Sequence, residues 1–202
     1  MKNLRNLVCS SYRNRTAQPY RKRSGLAHKS KFTQNIPLIS ESNTLLNGYQ
    51  FDTYHTFDTM TSSLGLYLRA VTGLSDGVRI SERLNLPRKR LRGFEAGKIG
   101  PVDANDHVGG NYVAAINFDA QLPNLLPDAY NADLGFFLDF GNVWGVDYDS
   151  SIDDSNKIRS STGVNVNWLS PLGPVSFTLA TNLAKATTDQ TQSFNFSLGT
   201  QF

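Results

Sequence analysis

Three charged side chains stand where they could act as one electrostatic latch: Arg92, Asp119 and Asp139. Arg92 belongs to the run Arg90-Leu91-Arg92-Gly93-Phe94-Glu95, which is followed by Ile99-Gly100-Pro101 and then Gly109-Gly110. A guanidinium is a planar fork of donors that a carboxylate can grip with two charge-assisted hydrogen bonds. The neighbouring glycine lets the chain fold back and aim that fork into a confined space. Asp119 and Asp139 are both odd-numbered, in segments whose even positions are apolar, so both face away from the apolar side. On neighbouring strands, residues of one face lie about 5–8 Å apart, so one guanidinium could bridge both acids. The residues alone leave a second reading equally open, in which Arg92 is one more solvated loop charge.

Catalytic chemistry finds no such set. His28, His55 and His107 lack metal-ligand spacing. There is no nucleophile elbow and no phosphate-binding glycine loop. The single cysteine, Cys9, cannot form an internal disulfide and reads as incidental. The expectation is a protein that is not an enzyme and uses no cofactor and no metal. The remaining enzyme class would be a barrel protease or lipase, which also needs an acid, a base and a nucleophile.

The elements that must carry the latch are strands. In 111–122, Tyr112, Ala114, Ile116, Phe118, Ala120 and Leu122 share one face, opposite Asn111, Asn117, Asp119 and Gln121. The same period of two runs through Ala132–Trp144, Gly163–Trp168, Val175–Leu183 and Ser193–Phe202. Leu64, Leu66, Leu68 and Ala70 share a face, as do Tyr49, Phe51, Thr53 and Phe57. Residues 30–39 form a weaker candidate, because Pro37 removes a ladder donor. The reading is about eight strands, most of about 10–12 residues, where a tilted membrane strand needs about 9–11. Long and short connections alternate: 73–109, 145–158 and 184–190 against 58–62, 123–130 and Ser170-Pro171-Leu172-Gly173. That is the pattern of an outer-membrane barrel. A soluble sandwich also alternates, but its outward polar face favours Lys and Glu. Here the polar rows are Asn, Ser, Thr, Gly and Asp, which suits a wet lumen. The fold class is therefore all-β, an antiparallel transmembrane β-barrel. Tyr112, Phe118, Phe136, Phe140, Phe177 and Phe196 are expected to meet lipid, and Asp119, Asp139 and Asn195 the lumen.

Composition agrees. No run of 18 or more apolar residues exists, so no transmembrane helix is available, while 12 Phe and 8 Tyr suit strands. Residues 1–40 carry nine basic and no acidic side chains. Against a total of +3, residues 41–202 carry −6. Such a head could meet nucleic acid or anionic lipid, yet it lacks the signals of a nucleic-acid module, so no nucleic-acid partner is expected. Residues 1–29 show no period and read as a basic segment, either disordered or the remnant of an upstream strand; 30–202 read as barrel. No apolar core of a secretory signal is visible in residues 1–15, so the expectation is a chain incomplete at its N-terminus.

Several of these stretches, in order, resemble the BamA family of outer-membrane barrels in the bacterial surface antigen superfamily. Leu91-Arg92-Gly93-Phe94 with Ile99-Gly100-Pro101 is similar to the family's Val-Arg-Gly-Phe loop. Phe136–Trp144 is similar to its Phe-x-Asp-x-Gly-x-Val-Trp strand, and Ser170–Pro174 to its penultimate turn. Phe194, Phe196, Leu198 and Phe202 look like the C-terminal strand signal of such barrels. Asp119 stands where some members carry Glu. The resemblance covers residues 60–202 and implies the C-terminal half of a barrel of roughly sixteen strands. It implies a lumen loop carrying Arg92, Gly93 and Phe94, with Asp119 and Asp139 as its partner carboxylates. It also implies an outer-membrane protein of a Gram-negative-type bacterium that inserts and folds other β-barrels. Its partners would be membrane lipid, unfolded outer-membrane clients and further subunits of an assembly complex, the last through POTRA domains absent from these residues. The alternatives are a two-partner-secretion-type translocation pore and a passive porin or surface antigen.

Overall fold

Alternation of apolar and polar residues fixes two unlike faces on each strand, and only pairing between strands can satisfy their backbones. In the computed structural model this produces one antiparallel sheet of nine strands among the described residues, with every strand beside its neighbour in sequence. The structure describes residues 7–13, 25–35, 44–57, 60–74, 77–122, 125–127, 132–153, 155–170 and 173–198. The sheet strands are β1 (Leu7–Arg13), β2 (Gly25–Asn35), β3 (Thr44–Thr56), β4 (Thr61–Gly73), β7 (Tyr112–Leu122), β8 (Ala132–Trp144), β9 (Arg159–Ser170), β10 (Gly173–Ala184) and β11 (Phe194–Leu198). Between β4 and β7, a two-stranded hairpin of β5 (Val102–Asp103) and β6 (Asp106–His107) belongs to the long loop.

Two features differ from the sequence reading. Strands begin well before Ser30: β1 pairs with β2 from Leu7↔Gln34 to Arg13↔His28, inside the stretch that showed no period. In β2 the apolar face is interrupted by His28 and Ser30, so the period was hidden. The last strand, expected over Ser193–Phe202, runs from Phe194 to Leu198 among the described residues, and just before it Gln190 and Gln192 bond to the long loop instead. Phe202 and the turn residues Pro171 and Leu172 lie outside the described residues.

The faces fall as expected. Tyr112, Phe118, Phe136 and Phe196 are exposed on one side, and Phe140 and Phe177 are half-buried on the same side. The register makes this face a continuous belt, as in the row Phe51↔Leu66↔Ile116↔Phe140. The opposite face is not uniformly wet. Near the long-loop rim it carries Val71, Val113, Ala115 and Val143, and onto these pack Leu84, Leu86, Leu91, Phe94 and Ile99 of the long loop. The main hydrophobic core is thus inside the sheet's concave side, built half from wall and half from loop. Each fully buried Leu, Ile or Phe contributes about 1.5–3 kcal/mol, enough to hold the loop in place.

Candidate functional site: a loop seated across five strands

Below the apolar core, the register aligns one row of inward residues: Lys29↔Asp52↔Gly65↔Asn117↔Asp139↔Ser161↔Asn182. The stretch Arg90-Leu91-Arg92-Gly93 lies across this row and bonds to five strands in turn. On β3, Asp52 accepts from Arg90 Nη1 at 3.0 Å. On β7, Asn117 Nδ2 donates to the Arg90 carbonyl at 3.0 Å and to Asp139 Oδ1 at 2.8 Å. On β8, Asp139 accepts from Arg92 three times: backbone N–H at 3.0 Å, Nε at 2.7 Å and Nη2 at 2.7 Å. On β9, the Ser161 hydroxyl donates to the Arg92 carbonyl. On β10, Asn182 Nδ2 donates to the Gly93 carbonyl at 2.9 Å.

Arg92 also donates through Nη1 to Asp119 at 2.6 Å, so the structure brings Arg92, Asp119 and Asp139 together. Asp119 is not opposite Asp139. It pairs with Phe137, one step diagonal to it, and the guanidinium spans the diagonal. The Phe137 ring lies 3.8 Å from the Arg92 guanidinium carbon and forms the floor of the latch. Asp139 and Ser161 are fully buried, and the Arg92 side chain is 14% exposed. At this depth each charge needs its partner, because an unpaired buried ion is costly. The fit also depends on absent side chains. A Cβ at Gly65 would meet Arg90 Nη1 at 2.7 Å and Asp52 Oδ1 at 2.9 Å. Gly93 has φ +85°, and a Cβ there would reach Ala180 Cβ at 3.0 Å.

Phe94 follows Gly93 into the core at 3% exposure and bridges to Thr191. Of the C-terminal strand residues, Phe194, Phe196 and Leu198 are exposed on the outer face of β11. They are not part of the latch. Asn195, on the inner face, accepts from Arg88 Nη1 at 3.0 Å. Sequence reasoning assigned no role to Asp52, Asn117, Ser161, Asn182 or Phe137. Their parity marks them as inward, but only the cross-strand register puts four of them in one row.

At the rim, the same loop is tied to the connection after β8. Arg83 Nη2 donates to Asp147 Oδ1 at 2.6 Å, and the Val78 N–H donates to Asp147 Oδ2 at 2.8 Å. The Arg83 guanidinium lies 4.6 Å from the Tyr148 ring, whose hydroxyl donates to Asp103 at 2.6 Å. Burial pushes the Asp147 carboxyl up. The Val78 N–H, the Asn111 side chain and the Arg83 charge outweigh it and hold the group below the usual carboxylate range. Among the described residues no group of three or more His, Cys, Asp or Glu is placed to hold a metal ion.

Outward apolar strands around an inward polar and loop-filled face define a segment of a membrane-spanning β-barrel with its lumen loop latched in place. The Omp85 superfamily domain model matches residues 4–202, and the chain belongs to that superfamily of outer-membrane barrels. The chain is 33% identical over 141 residues to the outer membrane protein assembly factor BamA of Neisseria meningitidis serogroup B, covering 55% of this chain and 17% of that protein. It is 32% identical over 145 residues to the BamA of Neorickettsia risticii, covering 69% of this chain and 19% of that one. The solved structure of BamA from Haemophilus ducreyi lacking POTRA domains 1-3 superposes with a TM-score of 0.78 at 22% identity, over 95% of this chain and 41% of that chain. The chain thus spans under a fifth of the length of these two curated relatives.

Proposed function

We propose that this chain is part of an assembly barrel that inserts and folds other β-barrel proteins in the outer membrane, as the names of its relatives state for them. It acts without a cofactor and without catalysis. The observation that carries the reading is the loop seated across β3, β7, β8, β9 and β10, with Arg92 locked between Asp119 and Asp139. A passive porin needs an open lumen, whereas here Leu91, Phe94 and Ile99 are buried against the wall. A loop fixed to five strands makes the wall and the loop one mechanical unit. Such a unit can hold a barrel closed yet leave a strand edge as a template for pairing with a client. Its partners are then membrane lipid, unfolded barrel clients and companion subunits.

The test is replacement of the whole protein by an Arg92→Ala variant in cells depleted of the wild type. The amount of folded, heat-modifiable outer-membrane barrels should fall several-fold while the variant itself remains in the membrane. Normal client levels, with raised ion conductance through the variant instead, would refute the assembly reading and favour a pore.

A further inference from the structure

A second buried ion pair lies beside the latch. Asp189, in the connection between β10 and β11, accepts from Arg159 Nε and Nη2, both at 2.9 Å. Arg159 opens β9, two residues before Ser161 on the same face. The two side chains are 3% and 0% exposed. Arg159 also donates to Asn142 of β8 and to the Lys157 carbonyl at 2.9 Å, and Asp189 accepts from the Ala186 N–H. This is a costly arrangement to bury unless its position matters.

What it positions is the entry to the last strand. Among the described residues β11 pairs with Val175–Leu179 of β10, and the Ser193 carbonyl still accepts from Ala180 at 2.8 Å. Upstream of that, the chain bonds to the lumen loop instead. Gln192 N–H donates to the Gly93 carbonyl, Glu95 N–H to the Gln190 carbonyl and Gln190 N–H to the Lys98 carbonyl, each at 3.0 Å. These bonds form a short antiparallel ladder with Phe94 opposite Thr191. One side of the ladder is anchored by Arg92 to Asp119 and Asp139, and the other by Asp189 to Arg159.

We infer that Arg159 and Asp189 are positioning residues which join the Arg-Gly-Phe loop to the outer end of the last strand, so that loop and strand are held or released together. This rests on the proposed assembly role, for which the last strand is one side of the pairing edge. It gives the loop a direct route to that edge: loss of either anchor frees the ladder, and with it the first residues of β11.

Hydrogen exchange read by mass spectrometry on the whole protein in outer-membrane vesicles tests this. Asp189→Asn should speed exchange by about tenfold or more in 190–192, in 93–98 and in Phe194–Leu198, with β7 and β8 unchanged as the control for folding. Gln192→Pro removes one ladder donor and leaves the ion pair intact. It should speed exchange in 93–98 and Phe194–Leu198 in the same way. Faster exchange confined to 186–192 in both variants would overturn the coupling. Client folding is scored separately. If Arg92→Ala leaves clients normal, the assembly role fails while the exchange result still decides the coupling.

Discussion

Arg92 makes four hydrogen bonds to two carboxylates, three of them to Asp139. Only a guanidinium can fill this seat: its fork takes both Asp139 oxygens while a third nitrogen reaches Asp119, and its flat face rests on Phe137. Breaking a well-buried pair costs about 3–5 kcal/mol, and lumen water lowers that figure here, since the Arg92 side chain keeps 14% of its exposure. Gly93 is the hinge that makes the seat reachable. Gly93→Ala should destabilise the seated loop by about 1–2 kcal/mol, from the left-handed backbone alone, with crowding against Ala180 adding to it. Protease cleavage within 93–98 of the membrane-embedded protein should rise accordingly; unchanged cleavage would show that the loop does not depend on this turn. Strand parity put Asp119 and Asp139 on one face and glycine marked the turn, but the residues alone left Arg92 equally open as a solvated loop charge, and it was the resemblance to the BamA family that favoured the latch. Asp52, Asn117 and Arg159 were not legible, because parity gives the face of a residue and not its height, and Asp189 was not, because it stands in a connection where strand parity does not apply. Asp52 joins the row only through the registers of β3 with β4 and of β4 with β7.

At the scale of elements, the long loop is held at three heights. The latch row is lowest, the apolar cluster of Leu84, Leu86, Leu91, Phe94 and Ile99 is above it, and the Arg83–Asp147 contact is at the rim. Asp147 has a folded pKa below its unfolded value of about 3.9, so its stabilising contribution is complete above that pH and is lost as pH falls through the lowered value. A spin label at the exposed Ile80 should therefore stay ordered from pH 7 down to about 4 and become mobile only as the pH falls further, through the lowered value. With Asp147→Asn the label should be mobile throughout and insensitive to pH. Order that persists unchanged in the variant would remove Asp147 from the anchoring of this segment. The strands β3, β4 and β7 to β10 were readable from their alternation, while the short β5–β6 hairpin lies inside the segment read as one long loop. β2 was read only in part, as the weaker candidate 30–39, since a strand whose outward face carries His28 and Ser30 has little apolar period to detect, and β1 falls in the stretch read as either disordered or the remnant of an upstream strand. The start of β11 lies within one residue of the expected Ser193, but the bonds of residues 190–192 to the loop left no mark in the sequence.

For the molecule as a whole, the sheet is an arc of barrel wall with lipid-facing aromatics outside and a seated plug inside. The resemblance to the BamA family and the fold agree on that arrangement, while the coupling from loop to last strand could not be read from motifs, because it is made of backbone bonds. Wall and loop stabilise each other: the inward glycines leave room that the loop fills, and the loop supplies the cations that the buried carboxylates require. If that mutual dependence is real, Arg92 and Asp139 must be energetically coupled. The direct measurement is a double-mutant cycle with Arg92→Ala and Asp139→Asn in the whole protein, reading the urea-unfolding free energy of the barrel in lipid vesicles. The latch implies a coupling of about 1–3 kcal/mol, the double variant losing less than the sum of the single losses. Additivity to within about 0.3–0.5 kcal/mol would mean that the two side chains act independently, and would contradict the latch.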